Sequence, residues 1–158
     1  MIRRTVTLGL AAAVLACSAA APAWAANPHD GDWTAVVSKA PGSTIPEGFK
    51  LTINFKFGDN HLVYHSVNTT NPAKPYISDH VTTLDGKVAP FPSQERFNQV
   101  SVTQTDPDDL QILKMKDGDV IAGEFWTFSK DGKTAVRRGI GKNAEGKSHA
   151  YQEHFVHK

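Results

Sequence analysis

The sequence predicts an all-β domain built as an antiparallel up-and-down meander. Short runs of β-branched and aromatic residues alternate with polar residues, and tight-turn signals separate these runs. No stretch shows the apolar spacing of a helix. Strands that follow one another through tight hairpins form either a closed barrel or a sandwich, and the residue pattern leaves both open.

The strands are predicted in order along the chain. The first includes Ala35–Val37 and is followed by a loop over Ala40–Glu47, while the second, Leu51–Phe57, alternates strictly between apolar and polar residues. Further strands are predicted at His61–Ser66, Ser78–Thr82, Val100–Thr103, Leu110–Met115, Val120–Ser129, Thr134–Ile140 and Ser148–His157. Turn signals lie at Gly58–Asn60, Asp85-Gly86, Asp117-Gly118, Asp131-Gly132 and Glu145-Gly146.

Two proline-rich segments interrupt this rhythm. Asn71–Pro75 and Ala89–Pro92 each contain two prolines, which cannot donate a backbone hydrogen bond to a strand ladder. Each segment is therefore predicted to be a loop, a barrel lid or a strand edge. The sequence shows no repeat and no second domain.

The first 25 residues have the pattern of a secretory signal peptide. Two arginines precede the apolar run Leu8–Ala16, and Ala23–Ala25 supplies an A-x-A cleavage site. This run is too short to cross a bilayer, which takes about 20 apolar residues. We therefore expect cleavage after Ala25, a single mature domain over residues 26–158, and a periplasmic or secreted location. The alternatives are lipidation at Cys17, which ends a segment resembling a lipobox, and an uncleaved membrane anchor.

The composition of the expected mature chain excludes several function classes. The full chain has 158 residues and a formal net charge of +1, and removing residues 1–25 leaves 133 residues with a charge of −1. This balance does not favour nucleic acid as a partner, because phosphate binding needs clustered basic residues. Removal of Cys17, the one cysteine, also excludes disulfides, thiol catalysis and Cys₂His₂ zinc sites. All seven histidines remain.

Several motifs resemble those of small secreted bacterial lipocalin-like (calycin) proteins. They include the G-x-W tripeptide Gly31–Trp33 and the segments Leu84–Lys87 with Pro90, Val100–Val102, Phe128–Thr134 and Gly139–Lys147. The resemblance implies an up-and-down barrel of about eight strands that holds a ligand. It also implies that Trp33 closes one end of the barrel beneath an arginine of a late strand, for which Arg137 and Arg138 are the candidates.

The alternation of side chains along the strands suggests a polar barrel interior. Residues two apart on a strand share a face, which groups the charged and aromatic residues of several predicted strands. The candidate ligand-binding residues are His80, Glu124, Trp126, Arg137, His149, Tyr151 and Glu153. The alternative places these residues on a solvated outer face, where Glu124, Arg137 and Glu153 would form cross-strand ion pairs.

The sequence contains residues for three kinds of reactive site. His61 and His65 would lie roughly 13 Å apart along a strand and would need a ligand from a neighbouring strand such as His80, so no metal site is predicted. No G-x-S-x-G motif indicates a serine nucleophile. Acid–base catalysis without a cofactor stays open, with His80 and His149 as bases. Tyr151 would then donate a proton, and Arg137 would hold an oxyanion or carboxylate.

These observations favour an exported barrel that binds a small, partly apolar molecule in its interior, with no cofactor. The first alternative is a cofactor-independent isomerase, lyase or dehydratase that uses the histidine, glutamate, arginine and tyrosine set. The second is a structural or partner-binding envelope protein whose polar faces are solvated. The sequence determines neither the ligand nor the oligomeric state.

Overall fold

The computed structural model describes residues 27–37, 41–92, 95–143 and 145–158. The predicted signal peptide, including Cys17, lies outside these residues. The described ranges contain ten strands: Gly31–Val36 (β1), Leu51–Phe57 (β2), His61–Asn68 (β3), Tyr76–Thr83 (β4), Asp85–Pro90 (β5), Gln99–Asp106 (β6), Asp109–Lys116 (β7), Asp119–Phe128 (β8), Thr134–Lys142 (β9) and Ser148–His157 (β10). The described part of the chain has no helix long and apolar enough to cross a membrane.

The strands form one antiparallel sheet that curves into a nearly closed barrel. Hydrogen bonds join them in the order β4-β3-β2-β1-β10-β9-β8-β7-β6-β5. The two edge strands, β4 and β5, are consecutive in sequence and lie close together. Leu84 lies between them, and its carbonyl accepts a hydrogen bond of 3.0 Å from Gln104 N on β6. The all-β antiparallel meander is confirmed, and its closure gives a barrel rather than a sandwich.

The described residues form ten strands where about eight were expected. One unforeseen strand is β5, in a segment predicted to contain a turn at Asp85-Gly86 and a proline-rich loop. Gly86 has a φ of +81°, and the β5–β6 register shifts between Asp85 and Val88, so the turn signal marks a bulge inside a strand. Pro90 ends β5 at the sheet edge, which is one of the positions expected for Ala89–Pro92.

Aromatic side chains fill one end of the barrel, called here the closed end. Trp33 is fully buried, its Nε1 donates a hydrogen bond of 3.0 Å to His29 O, and its ring stacks on that of His157. Phe128 packs edge-on against Trp33 with ring centroids 5.1 Å apart, and Phe55 lies deeper, 5.6 Å from Phe128. Trp33 therefore occupies the end position that its motif implied.

The expectation that Arg137 or Arg138 covers Trp33 was wrong. Arg138 is exposed, and the guanidinium of Arg137 lies 5.3 Å from the ring of Trp126. The strand register explains the difference, because Glu153 of β10 pairs with Arg137 whereas His157 pairs with Trp33. Four residues of strand separate those two levels by about 13 Å, so Arg137 lies too far along the barrel to cover Trp33.

Candidate ligand-binding site

A cavity of about 240 Å³ occupies the other end of the barrel, called here the open end. Its inner wall is buried, whereas Tyr76, Arg96 and His149 at its mouth are exposed. The lining residues are Phe49, Leu51, Tyr64, Ser66, Asn68, Tyr76, Ser78, Arg96, Phe97, Lys114, Ala122, Glu124, Arg137, Gly141, His149, Tyr151 and Glu153. The strands thus enclose a pocket that combines apolar, hydroxyl and charged groups and that opens to solvent.

Four buried charged residues form a continuous ion row along one wall of this cavity. Lys114 of β7, Glu124 of β8, Arg137 of β9 and Glu153 of β10 come from four adjacent strands and alternate in sign. Lys114 Nζ lies 2.6 Å from Glu124 Oε1, and Arg137 Nη1 lies 3.3 Å from Glu124 Oε2. Arg137 Nε donates a hydrogen bond of 2.6 Å to Glu153 Oε2, and its Nη2 pairs with the same oxygen. The ion row pairs each buried charge with an opposite one, as burial requires.

The ion row also determines the protonation of its members. Burial alone would raise the pKa of Glu124, but the charges of Lys114 and Arg137 outweigh burial and lower that pKa to about 2. Burial opposes the charged forms of Lys114 and Arg137, yet their carboxylate neighbours raise both pKa values. Glu153 differs, because burial raises its pKa in spite of its contacts with Arg137. Glu124 is therefore the most firmly ionised carboxylate of the row.

Aromatic rings hold the guanidinium of Arg137 in place. Its Cζ lies 5.3 Å from the ring of Trp126, 5.4 Å from that of Phe155 and 5.7 Å from that of Tyr151. Tyr151 in turn lies over Gly139, where a Cβ atom would be only 2.1 Å from Tyr151 Cζ. The absence of a side chain at Gly139 therefore gives Tyr151 its place on the cavity wall.

His80 is buried behind the cavity rather than in its wall. Its ring stacks on Tyr64 with centroids 4.6 Å apart, and Phe91 packs edge-on at 5.3 Å. Neither ring nitrogen has a hydrogen-bond partner among the described residues. Burial and the nearby charge of Lys114 lower the pKa of His80 to about 4, so the ring is neutral at neutral pH. Tyr64 lines the cavity and covers His80. His80 therefore does not contact the cavity and cannot act as a base on a molecule bound there.

The seven candidate ligand-binding residues lie on the cavity wall or beside it, and their role in ligand binding stays a prediction. Glu124, Arg137, His149, Tyr151 and Glu153 line the cavity, whereas His80 and Trp126 are buried beside it. The alternative of a solvated face is wrong for Glu124, Arg137 and Glu153, because all three are more than nine-tenths buried. Their cross-strand ion pairs do exist, but inside the barrel. Of the four candidate catalytic residues, His149 and Tyr151 face the cavity freely, while Arg137 is already engaged by two carboxylates.

Sequence reasoning missed the fourth member of the ion row, Lys114. Leu110 and Ile112 are buried on β7, and Lys114 follows on the same face. Applying the alternation of strand residues to Leu110–Met115 would have placed this lysine inside. A lysine among apolar residues was not recognised as interior because its partner, Glu124, lies on the next strand.

The two histidines with H-x-x-x-H spacing point away from the interior. His61 and His65 are exposed on β3, and His65 Nδ1 lies 2.5 Å from Asp79 Oδ1 on β4. His80 faces inward from that strand, so it cannot join them. Among the described residues, no three histidine, cysteine, aspartate or glutamate side chains group as a metal site would require.

Comparison with known proteins identifies the fold. The crystal structure of zebrafish ileal bile acid-binding protein complexed with cholic acid aligns with a TM-score of 0.54 and 12% identity, covering 83% of this chain and 99% of that one. Apo lipid binding protein 8 of Caenorhabditis elegans aligns with a TM-score of 0.50 and 11% identity, covering 83% and 96%. No family model and no curated protein matches the sequence. At these identities the likeness shows a shared fold, a calycin-like β-barrel.

Proposed function

We propose that this protein is an exported calycin-like barrel that binds a small, partly apolar molecule in its open cavity. The cavity itself carries the proposal, because about 240 Å³ of space lies between aromatic side chains and a buried row of hydrogen-bonding groups. Concave, mostly apolar pockets with a few convergent polar groups are typical ligand sites. The solved structures of similar fold include a bile acid-binding protein with cholic acid bound and a lipid binding protein, which agrees with a ligand inside the barrel.

The distribution of side chains along the barrel limits the size of the molecule. The closed end is filled by packed rings, including Phe55, Phe128 and Trp33. The ligand therefore occupies only the open half of the interior, against Tyr64 and Phe97. Pockets for drug-sized ligands have volumes of about 300–1,000 Å³, so a cavity of about 240 Å³ suits a smaller molecule.

The test is capture of a small molecule from an extract of the cells that make the protein, read by native mass spectrometry. The wild-type barrel is expected to retain a compound that Ala122→Phe, which fills the cavity wall, does not. Ala150→Phe is the matched control, because Ala150 is exposed on the opposite face of β10 and does not line the cavity. Capture by neither the wild type nor the control, or equal capture by Ala122→Phe, would overturn binding in this cavity.

Export is the second part of the proposal. It rests on the apolar run Leu8–Ala16, the A-x-A site Ala23–Ala25 and the motif resemblance to small secreted bacterial proteins. Intact-mass measurement of the protein from its own cells is expected to give a chain that begins at Ala26. A lipidated chain that begins at Cys17, or a full-length chain, would instead support one of the two alternatives.

A further inference from the structure

The wall of the cavity keeps unused hydrogen-bonding capacity of both kinds. Lys114 Nζ has three N–H groups, of which one is directed to Glu124 in the described structure. Both contacts of Arg137 with Glu153 end on Oε2, so Oε1 of Glu153 accepts no hydrogen bond from a described residue. Ser78 Oγ lines the cavity, is buried and has no partner among the described residues. A bound molecule therefore meets donors and acceptors together.

The charges of this wall, in contrast, are already satisfied. The ion row contains two cations and two carboxylates, and each cation lies within ion-pair distance of a carboxylate. A ligand carboxylate would have to compete with Glu124 and Glu153 for Arg137, and a ligand ammonium would have to compete with Lys114. Either event would leave an unpaired charge in a buried wall, which is costly. Arg96 adds a positive charge at the mouth, where it is exposed to solvent and screened.

We propose that the cavity selects an uncharged molecule that can both donate and accept hydrogen bonds, such as a carboxamide, on an apolar body of about one ring. Depending on where the molecule lies along this wall, its N–H groups would donate to Glu153 Oε1 or its oxygen would accept from Lys114 Nζ or Ser78 Oγ. The ring would lie against Tyr64 and Phe97, which line the same cavity. This inference rests on the proposed binding function and specifies its ligand class.

The test compares three probes that share a phenyl ring: benzamide, benzoate and benzylamine, the last as its ammonium ion at neutral pH. Titration of the folded protein is followed by the backbone amide NMR signals of β7 to β10. Benzamide is expected to bind about tenfold more tightly than either charged probe. Tighter binding of benzoate or benzylamine would overturn the ligand class while leaving the binding function intact. If no probe shifts signals of the cavity wall, the ligand class is also wrong, and the extract experiment then decides the binding function separately.

Two variants test whether the charges of the ion row set the preference for an uncharged probe. Glu153→Gln leaves the ion row with one excess positive charge and is expected to move the preference towards benzoate. Lys114→Met leaves one excess negative charge and is expected to move it towards benzylamine. Each variant is first checked for the wild-type strand content by circular dichroism, and one folded variant suffices. An unchanged order of affinities in a folded variant would show that the ion row does not set the selectivity.

Discussion

Trp33 and His157 stack face to face at the closed end of the barrel, with ring centroids 4.5 Å apart and ring planes within 4°. The imidazole also joins two other chain segments, because its Nδ1 lies 2.7 Å from Gly132 O and its Nε2 lies 2.8 Å from Asp30 O. A carbonyl oxygen only accepts, so a neutral imidazole satisfies one of these carbonyls and an imidazolium satisfies both. One side chain of the last strand thus holds the first strand and the β8–β9 turn together.

We expect His157→Phe to destabilise the fold by about 1–3 kcal/mol, because it retains a stacked ring but leaves the carbonyls of Asp30 and Gly132 without their partner. His157→Ala should cost more, because it also removes the stack on Trp33. Urea denaturation measures both free energies of unfolding. His154→Ala, on the opposite face of β10, is the control and should cost less. Equal stability of His157→Phe and the wild type would show that the two carbonyl contacts contribute nothing.

The buried imidazole of His80 predicts a pH-dependent stability. Its pKa is about 4 in the folded protein and near 6.5 when unfolded, so between these pH values the unfolded chain takes up a proton that the folded chain does not. Wild-type stability should therefore fall as the pH decreases from 6.5 to 4. His80→Phe has no titratable ring at this position, so its free energy of unfolding relative to that of the wild type should rise by about 3 kcal/mol over that interval, and this gain is its advantage.

Urea denaturation at neutral pH and near pH 4 measures the growth of this advantage. Thr82→Val is the matched control, because Thr82 lies on the same face of β4 and its buried hydroxyl also lacks a partner among the described residues. It should stabilise the protein by about 1 kcal/mol at every pH, since the hydroxyl does not titrate. An advantage of His80→Phe that stays constant with pH would contradict the lowered pKa.

The ion row predicts a large difference between buried and exposed ion pairs. Glu124→Gln removes the carboxylate that pairs with both Lys114 and Arg137 and should cost about 3–5 kcal/mol. The exposed pair of Lys142 and Asp119, 3.2 Å apart, provides the control, and Asp119→Asn should cost less than about 1 kcal/mol. Chemical denaturation of the two variants tests this, and similar costs would refute it.

A double variant separates the effect of losing an ion pair from the effect of leaving one buried charge unpaired. Replacing both partners with apolar residues, Lys114→Met with Glu124→Leu, removes one cation and one carboxylate and leaves Arg137 with Glu153. We expect this double variant to be more stable than Glu124→Gln alone, because no buried charge is left without a partner. A larger loss in the double variant would show that packing, rather than pairing, dominates at this wall.

The position of Tyr151 depends on the missing side chain of Gly139. Gly139→Ala places a Cβ atom 2.1 Å from Tyr151 Cζ and should push the ring from its place on the cavity wall. We expect a cost of about 1–3 kcal/mol and weaker binding of benzamide. Gly123→Ala is the control, because its Cβ would meet Leu113 and Phe125 at an ordinary 3.5 Å. Adding Tyr151→Ala to Gly139→Ala should relieve the clash, and failure of that rescue would contradict the close packing.

The alternation of residues along single strands was readable without a structure. Leu51, Ile53 and Phe55 share one buried face, and Glu124 and Trp126 share one face of β8, as the pattern predicts. The reason is local, because successive side chains of an extended strand must point to opposite sides. The bulge at Gly86 could not be predicted in this way, since a glycine of positive φ serves a turn and a bulge equally well.

The sequence by itself determined the all-β meander, the end of the barrel at which Trp33 lies and which residues of a strand share a face. Only the tertiary structure decided that the charged faces point inward and which of their side chains meet. Lys114 and Glu124 are ten residues apart and Arg137 and Glu153 sixteen, and their contacts depend on the register of neighbouring strands. The register of β3 against β4 also put Tyr64 between His80 and the cavity. These relations are non-local, so no pattern within one strand contains them.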